Sequence, residues 1–595
     1  MHSDDIFIRR TFFKFFTPTI LALLGSTFSS FGNTLLAGRF LGKETLSVMN
    51  ILSSFTFLYA MFGCLISIGA VARSSIAIGR QDYRTAGKYQ WFSLLLSFIV
   101  PVMISVPCLI NFRGLFYLLG GDSESYAIAS GYGRLVIAFG FLNTLMYFPF
   151  NFLRMIGKGK YGMYSFGTMG ILDVVLVYIF LRLGMGPVGV ALGYILSMLA
   201  ANIAGLYFLF TKNTLYKMQR PQKNELFSMC WTIASFGGAS GLNNLCKVLR
   251  TVTLNLLISK YLGKQGLQTL AVGCSIINLT SASVTGFGQA VSPIIGVLFG
   301  ERDRKGQRQA LRISIVYSAI FHTALAVVLM FLAPFLSRAF GITEAEQISD
   351  TALLIRLIAV SFIPSSIMNI FIYYFTATGK NRCSMILTFM HSFLLLILLS
   401  ALHLSFAPNT WYGISFITAE ILDFGVMYIL SIIKRKKDPN LHGILLEHNM
   451  YAEKFFSTVS DGTEEGAVET SGKVVAFCEE NDVDPALCMK LPLVVEELLV
   501  VLARHCFENS SQKIDVRISL VRENVLVRMR CEGVTFNPIE WYMERKAALS
   551  PEELMADESF AMNVVEKLVS DVQYTSTFGV NNLIVTMGSN QKAVL

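Results

Sequence analysis

Long apolar runs separated by short polar loops dominate the first 435 residues of the chain. Each run is close to the roughly 20 residues that an α-helix needs to cross a bilayer. Several runs are longer, which indicates tilted helices or extensions into the interface. The first is expected to be retained, because it is too long for the apolar region of a signal peptide. The pattern predicts twelve membrane-spanning helices, at 11–38, 46–78, 89–111, 127–152, 161–183, 187–211, 226–259, 267–299, 309–336, 350–376, 384–407 and 411–433.

Basic residues concentrate in alternate loops between these runs. Arg80, Arg84 and Lys88 occupy one loop, for example, whereas the next contains only Arg113. Loops rich in Lys and Arg usually face the cytoplasm, so we expect a multi-pass plasma-membrane protein with both termini cytoplasmic. A net charge of +9 spread over such loops is not the basic surface of a nucleic-acid-binding protein. The 10 cysteines contain no Cys-x-x-Cys pair, so neither a disulfide framework nor a metal site is expected.

The chain also repeats itself at a nearly constant offset. RFLGK at 39–43 returns as KYLGK at 260–264, and GRQD at 79–82 returns as GERD at 300–303, both 221 positions later. Gly157–Lys158 pairs with Gly379–Lys380 at an offset of 222. This offset spans six predicted helices, so the two halves have the same orientation in the membrane. We therefore expect six-helix lobes at 1–220 and 221–436, with a cleft between them that opens to alternate sides.

Polar and charged side chains inside the predicted helices are the candidate transport and cation-coupling residues. An ionisable side chain in hydrocarbon costs about 2.5 kcal/mol or more, so those that remain are functional candidates. Lys247 shares one helix face with Asn243 and Arg250, because three or four residues separate them. Buried carboxylates can take up H⁺ or Na⁺, or attract a cationic solute. The candidates are Asn33, Asp173, Asn243, Asn244, Lys247, Arg250, Glu420 and Asp423.

The same residues also have a purely structural interpretation. Lys247 can pair with Glu420, and Arg250 can pair with Asp423, which would lock neighbouring helices together without moving an ion. Asp173 can likewise serve only as a hydrogen-bond partner for another helix. His322 and His391 are expected to be interior histidines with satisfied hydrogen bonds.

Three prolines fall inside predicted helices, where each removes a backbone hydrogen bond and allows a kink. They are Pro149, Pro293 and Pro364. Pro293 lies in GFGQAVSPIIGVLFG, between glycines, so the eighth helix is expected either to bend during a transport cycle or to hold a static kink.

Three segments resemble the multidrug and toxic compound extrusion (MATE) transporters. They are NTLLAGRFLGKETLSVMNI, LDVVLVYIFLRLGMGPVGVALGYILS and GFGQAVSPIIGVLFGERDRKGQRQA, and the resemblance covers about 10–435. It implies twelve helices in two lobes and efflux of organic cations or drugs by H⁺ or Na⁺ antiport, without a further cofactor. Asp173 matches the acidic position of the fifth helix, and Glu420 that of the twelfth. Asn33 replaces a first-helix acid. Asn243 and Asn244 lie where some members have a seventh-helix acid, so a Na⁺ site built on that acid is not expected.

The composition changes after residue 436. We expect a polar linker at 437–465 and a soluble α+β domain at 466–595 with helices at 466–480, 485–507 and 558–571. Alternating apolar and polar residues predict strands at 512–521, 525–531, 572–577 and 582–588. From residue 447 onward, 13 Lys and Arg stand against 24 Asp and Glu, so this domain should be well solvated.

LPLVVEELLVVLARHC, MRCEGVTFNP and SFAMNVVEKLVSDVQY resemble the anti-sigma-factor-type kinases of the histidine-kinase-like ATPases. The resemblance assigns Glu497 to the catalytic glutamate and Gly533 to a retained glycine. Val501 replaces a Mg²⁺-binding Asn, and Cys531 replaces an adenine-contacting Asp. A Ser559-Phe560-Ala561 segment replaces the Gly-x-Gly of the lid. Valine offers no oxygen to Mg²⁺, and a chain without paired glycines cannot approach phosphates closely. The domain is therefore expected to be a non-catalytic regulatory module.

The leading hypothesis is an ion-coupled efflux transporter with lipid and a small organic solute as its partners, and with a possible cytosolic protein partner for the tail. The alternative is a membrane-anchored signalling or scaffold protein whose cytosolic domain binds a partner or a nucleotide. An ATP-driven pump is not expected, because the sequence has no GxxxxGK[ST] motif and the nucleotide boxes of the tail are broken.

Overall fold

The computed structural model describes residues 4–588 apart from positions 81, 119–125, 214–215, 301–303, 341, 449–453, 482, 508–512, 522–523 and 578–579. Asp303 of the second GERD motif, and most of the turn expected at 522–524, lie outside the described residues. The chain divides into two compact units, Ile8–Leu446 and a second unit formed mainly by the residues from Glu447 onward.

The first unit consists of α-helices that follow the predicted apolar runs. In the described part of the chain, ten helices are long and apolar enough to cross a membrane. The runs predicted at 11–38 and 226–259 are not among the ten, since the first contains only the shorter apolar stretch Phe12–Gly25 and the second carries several charged and amide side chains. The count of twelve therefore stays a prediction. The helices are α1 (Asp4–Gly79), α2 (Tyr83–Ile110), α3 (Phe112–Leu118), α4 (Tyr126–Ala138), α5 (Gly140–Met155), α6 (Gly159–Arg182), α7 (Gly186–Lys212), α8 (Leu226–Gly300), α9 (Arg304–Ala339), α10 (Ala345–Ala377), α11 (Asn381–Phe389), α12 (Leu395–Phe406) and α13 (Ile414–Lys437).

The long helix α1 meets two different neighbours along its length. Its successive contacts are Pro18 with Gly159, Gly25 with Gly167, Asn33 with Asp173, Tyr59 with Ile137, and Ser67 with Asn151. The first three contacts advance along α6, and the last two advance from the end of α4 along α5. Because α5 and α6 form a hairpin around Gly157, whose φ is 77°, α1 must reverse its direction between Asn33 and Tyr59.

Helix α8 is interrupted at a glycine and not at its proline. Gly263 has φ 61° and ψ −150°, a conformation that lies far from a helix and that glycine adopts without steric cost. Pro149, Pro293 and Pro364 lie inside α5, α8 and α10. The interruption at Gly263 lies between the two runs predicted at 226–259 and 267–299. The kink or bend expected at Pro293 stays a prediction.

The two helices α5 and α10 end in the same way. Gly157 and Gly379 have φ values of 77° and 74°. The next residue in each case, Lys158 or Lys380, donates its backbone N–H to the carbonyl five residues earlier, at 2.8 Å. This is the glycine-ended capping motif that satisfies the last carbonyls of a helix, and it occurs twice at an offset of 222.

The ends of α1 and α8 cross each other with reciprocal contacts. A Cβ on Gly79 would lie 2.9 Å from the Cα of Gly300, and a Cβ on Gly300 would lie 2.8 Å from the Cα of Gly79. Gly79 also approaches the carbonyl of Val297, and Gly300 approaches that of Ile76. Since 221 residues separate the members of each pair, equivalent atoms meet equivalent atoms, which is the pattern that a two-fold axis produces.

The second unit has a five-stranded antiparallel sheet with the strand order β3-β4-β5-β7-β6. Alternate residues of β4, such as Ile514, Val516 and Ile518, face a core shared with Val494, Leu498 and other residues of α15. The helices are α14 (Glu464–Glu480), α15 (Pro485–Cys506), α16 (Pro538–Ala548), α17 (Pro551–Ala556) and α18 (Phe560–Leu568). The strands of this unit are β2 (Glu447–His448), β3 (Lys454–Asp461), β4 (Lys513–Val521), β5 (Asn524–Glu532), β6 (Asp571–Thr577) and β7 (Val580–Gly588), whereas β1 (Leu441–His442) lies near the end of the first unit.

The four strands expected in the tail are present, but the segment expected as a linker at 437–465 is partly structured. Lys454 to Asp461 form β3, which pairs with β4 along its whole length. The short run FFSTV holds too few apolar residues to mark an edge strand, so only pairing with β4 defines it. Two helices between β5 and α18, α16 and α17, were also not expected. Asn537 and Ser550 begin them, since their side chains accept hydrogen bonds from Ile539 N and Glu553 N.

Candidate functional site

Asp173 of α6 is fully buried and is held by two side chains of α1. Asn33 Nδ2 donates to Asp173 Oδ2 at 2.8 Å, and Ser29 Oγ donates to the same oxygen. Ser29 and Asn33 are four residues apart, so they present one face of α1 to α6. Asp173 Oδ1 and Asn33 Oδ1 have no hydrogen-bond partner among the described residues. The site therefore offers two open oxygens and no basic partner, an arrangement that can accept a proton or a small cation.

The second half contains a different cluster, made by His391, Glu420 and Asp423. His391 Nδ1 lies 2.9 Å from Glu420 Oε2 and 3.2 Å from Asp423 Oδ2. Asn369 Nδ2 of α10 lies 3.1 Å from His391 Nε2. The three potential ligand atoms lie within 4.8 Å of one another. His391 belongs to a single π-helical turn, Met390–Leu394, between α11 and α12, and such turns are frequent at functional sites.

The ion pairs that the sequence suggested for these acids do not form. Neither Lys247 with Glu420 nor Arg250 with Asp423 is within ion-pair distance in the part of the chain that the structure describes, and both bases are half-buried on α8. The partner of both acids is His391, 29 and 32 residues earlier on another helix. His322, by contrast, is the hydrogen-bonded interior histidine that was expected, with Ser318 O at 2.9 Å and Ser283 Oγ at 3.3 Å.

The two asparagines of α8 connect this region to the rest of the unit. Asn243 Oδ1 accepts a hydrogen bond from Ser392 Oγ at 2.9 Å, one residue after His391. Asn244 Nδ2 donates to Ser240 O at 3.3 Å within its own helix. Asn243 thus ties α8 to the π-helical turn, whereas the Asn244 side chain bonds within its own helix and to the thiol of Cys64 on α1.

Arg154 is a buried cation that the sequence analysis did not single out. It is 3% exposed on α5, and its Nη2 donates to Asn151 Oδ1 at 2.7 Å. Its Nη1 donates to Gln289 Oε1 of α8 at 3.3 Å, and its guanidinium lies 5.3 Å from the ring centre of Phe150. Arg154 therefore bridges the two halves with neutral partners. Its position near the end of an apolar run made it look like a loop residue.

In the second unit, the positions that resemble nucleotide boxes carry core residues. Val501 and Cys531 are 3% and 1% exposed and belong to the hydrophobic core. Glu497 is half-buried on α15, and burial followed by the neighbouring Glu496 charge raises the pKa of its carboxyl. A Cβ on Gly533, whose φ is 153°, would collide with the carbonyl of Cys506.

The lid segment is packed as well. Ser559 is fully buried at the start of α18, and Ala561 contacts the core. Asp557 accepts a hydrogen bond from Arg545, which lowers the pKa of its carboxyl to about 2. Side chains at these positions hold the domain together, and in the described residues they do not form an open glycine loop.

A family model described as MatE matches residues 18–179 and 239–402. The two matched segments together make up more than half of the chain. They begin 221 residues apart, which is the offset of the repeated RFLGK and KYLGK motifs.

Among curated proteins, the chain is similar to a protein of Shewanella oneidensis named FAD transporter. The two are 22% identical over 405 residues, which cover 66% of this chain and 88% of that protein.

Several solved structures share the fold of the membrane unit. A Vibrio cholerae MATE transporter, VcmN, matches with a TM-score of 0.68 and 17% identity, over 75% of this chain and 100% of that chain. A MOP superfamily transporter from Pyrococcus furiosus, whose title reports a reverse polarity of the binding pocket, matches with a TM-score of 0.66 and 21% identity. That match covers 72% of this chain and 97% of the other. At these identities, the likeness is evidence for the fold alone.

Proposed function

Because the chain belongs to the MATE family, we propose that it is an antiporter that exports an organic solute in exchange for H⁺ or Na⁺. Members of this family are secondary transporters and not enzymes, and the chain is an integral multi-pass membrane protein. The observation that carries the coupling is Asp173, a fully buried carboxylate with neutral partners and an open oxygen. In hydrocarbon, such a group is costly unless it binds a cation or a proton.

The proposed cycle uses two six-helix lobes, 1–220 and 221–436, that rock against each other. The reciprocal crossing of Gly79 and Gly300 supports a pseudo-two-fold relation between them. Arg154 and Gln289 add a polar contact across the same boundary, at 3.3 Å. In this proposal the crossing opens and closes while the helices within each lobe keep their packing. The excess of Lys and Arg in alternate loops supports cytoplasmic termini in a plasma membrane.

An organic anion is a second candidate for the substrate class. Among the described residues, Arg154, Lys247 and Arg250 form no ion pair with a carboxylate. Unpaired cations inside an apolar unit favour an anionic solute that would neutralise them. The relative named FAD transporter supports this class, since a flavin dinucleotide combines an aromatic ring system with two phosphates. We therefore propose testing FAD beside a fluorescent organic cation.

The test is export from proteoliposomes under an imposed pH or Na⁺ gradient, with either FAD or the organic cation as the solute. Coupled antiport predicts that flux of one solute follows one of the two gradients. Flux that ignores both gradients would reject the antiport, and absence of flux would favour the signalling or scaffold alternative. Lys247→Gln should lower FAD flux if the anion is the substrate, whereas Lys260→Gln, which changes an exposed lysine, serves as its matched control.

For the second unit, we propose a non-catalytic regulatory role with a possible cytosolic protein partner. The support is the burial of Val501 and Cys531 in the core, where neither can hold Mg²⁺ or adenine. Calorimetry of the full chain with Mg·ATP is expected to give no binding heat. Micromolar affinity for Mg·ATP, or ATP hydrolysis, would contradict this proposal and support a nucleotide-binding function.

A further inference from the structure

We propose that the second half of the membrane unit carries its own proton-binding site, formed by Glu420 and Asp423 with His391, in addition to Asp173. The inference rests on the proposed antiport, because it names H⁺ as the ion exchanged in this half. One proton is shared by the two carboxyl groups of α13, and His391 positions them.

Two carboxylates compete for one N–H group. His391 Nδ1 is 2.9 Å from Glu420 Oε2 and 3.2 Å from Asp423 Oδ2, but only Asp423 Oδ2 is aligned for a hydrogen bond. Glu420 Oε2 and Asp423 Oδ1 are buried and have no hydrogen-bond partner among the described residues. Glu420 Oε2 lies close to His391 Nδ1, but the hydrogen of Nδ1 is donated to Asp423 Oδ2. Glu420 therefore needs a hydrogen of its own, because a buried oxygen without a hydrogen bond is costly.

Asn369 determines which ring nitrogen carries the hydrogen. Its Nδ2 donates to Ser365 O at 3.1 Å and lies 3.1 Å from His391 Nε2. The opposite amide orientation would place Oδ1 against the carbonyl of Ser365. With the amide in this orientation, Nε2 is an acceptor and Nδ1 is the donor, which corresponds to the neutral imidazole with its hydrogen on Nδ1.

In the described part of the chain, the basic residues of the neighbouring helices form no ion pair with either acid. Arg250 and Lys247 of α8 lie on this side of the unit, but neither pairs with Glu420 or Asp423 in the described part of the chain. Arg250 interacts electrostatically with Glu420 and with the thiols of Cys246 and Cys274, and α10 contributes the uncharged Asn369.

One neutral donor and two carboxyl groups leave the cluster one hydrogen short. Uptake of a single H⁺ from water converts one carboxylate into a carboxylic acid, whose O–H then donates to the other carboxylate. Release of the same H⁺ to water restores the pair. No other bond forms or breaks, and no co-reactant is required. This balance is the reason for assigning one proton rather than two.

The geometry favours a proton over a metal ion. A metal would need the lone pair of Nδ1, the ring nitrogen that faces both acids. That nitrogen carries the hydrogen, and the lone pair of Nε2 faces the amide of Asn369. Na⁺ would have to bind through the carboxylate oxygens, of which Glu420 Oε2 lies 2.9 Å from the nitrogen Nδ1 of His391.

The π-helical turn gives the cluster its geometry. His391 and Ser392 both lie within Met390–Leu394. His391 reaches Asp423 of α13, and Ser392 reaches Asn243 of α8. The π-helical turn thus lets successive residues contact two different helices. Protonation of the acids would therefore affect the contact between Ser392 and Asn243 of α8.

The experiment is labelling of the full-length protein in lipid nanodiscs with dicyclohexylcarbodiimide, which reacts with protonated buried carboxyl groups. Peptide mass spectrometry then reports the fraction of Glu420 and Asp423 that is modified at each pH. We expect one label per cluster, with labelling that falls as the pH rises, that is insensitive to Na⁺ at fixed pH, and that is unchanged in Asp173→Asn. In Asp423→Asn, Glu420 becomes the only acceptor of the His391 hydrogen, so its labelling should drop about tenfold.

The contrary results are equally specific. Protection by Na⁺ at constant pH would assign the cluster to that ion, and protection by Zn²⁺ after chelator treatment would assign it to a metal. Equal labelling of Glu420 in the parent protein and in Asp423→Asn would contradict the proposal that the two acids share a proton. Glu420→Gln, run in parallel, should suppress labelling of Asp423 in the same way. Monodispersity in gel filtration checks that each variant is folded.

Labelling needs neither a substrate nor a gradient, so it separates this inference from the proposed antiport. A protein that shows the expected labels but no gradient-driven flux keeps the proton site and loses the antiport. A protein with H⁺-driven flux but without pH-dependent labels at Glu420 or Asp423 keeps the antiport and loses the site.

Discussion

The two halves of the membrane unit share backbone features at equivalent positions, but their buried acids lie at different positions. Gly157 and Gly379 end equivalent helices with φ values of 77° and 74°, and Gly79 meets Gly300 across the boundary. At the same offset of 222, however, Asp173 corresponds to Leu395. Likewise, Glu420 and Asp423 correspond to Met198 and Ala201, which are buried and apolar.

This difference separates what the fold requires from what the chemistry requires. A left-handed helix end or a close helix crossing needs a glycine in both halves, because no other residue fits. A buried carboxylate is needed only where it acts. The first half surrounds its acid with neutral donors, Ser29 and Asn33, whereas the second half places a histidine between two acids. The proposed transporter would therefore have two unlike cation sites in similar frames.

The largest expected effect is at the acid of the first half. Asp173→Asn keeps the size and the hydrogen bonds of the side chain but cannot take up a cation or a proton. Coupled export in proteoliposomes should fall to the background level, while thermal stability in detergent stays close to that of the parent protein. Normal gradient-driven flux in this variant would remove Asp173 from the mechanism.

In the second half, the histidine should matter more for stability than any single acid. His391→Ala leaves two buried acids without their N–H donor, and a buried acceptor without its hydrogen bond costs about 1–3 kcal/mol. The midpoint of thermal unfolding should fall clearly, and adding Asp423→Asn to this variant should recover part of the loss. His403→Ala is the matched control, since its ring lies near the end of α12, away from the two acids, with Nε2 3.2 Å from Asn409 Oδ1. Equal midpoints for the two variants would contradict a central role for His391.

The crossing of the halves gives a symmetric prediction. Gly79→Ala and Gly300→Ala each put a methyl group against the opposing backbone, and overpacking of this kind costs about 1–3 kcal/mol. Because the contacts are reciprocal, the two variants should lose similar stability in thermal unfolding. Gly425→Ala, where nothing lies within 4 Å of the added carbon, should be neutral or slightly stabilising. A large loss in only one of the first two variants would show that the crossing is not symmetric.

The smallest effect is expected for a single neutral partner of Asp173. Asn33→Ala removes one hydrogen bond, and Ser29 remains to donate to the same oxygen. We expect a loss of about 1 kcal/mol in the free energy of unfolding and a moderate change in the ion concentration needed for half-maximal flux. Flux as low as that of Asp173→Asn would instead make Asn33 a ligand of the coupling ion.

Most of the helices and strands could be predicted from the sequence, since apolar runs of about 20 residues and alternating strands are local signals. The contact of Asn33 with Asp173 is not local, although both residues were candidates because each is polar within an apolar run. His391 was read as an ordinary interior histidine, because no pattern along the chain links it to α13. Arg154 lay too close to a loop to be recognised, and the edge strand β3 is defined only by its neighbour. Contacts between residues that are distant along the chain were therefore what could not be predicted from the sequence.

The meeting of Gly79 with Gly300 has a consequence for motion. Where two bare stretches of main chain touch, no rotamer has to change when they part, and no side chain has to find a new pocket. In the proposed rocking of the two lobes, this crossing would separate and close as a unit and would act as the pivot. The same lack of side chains makes the crossing sensitive to substitution, because one methyl group added at Gly79 or Gly300 would force the two helices apart.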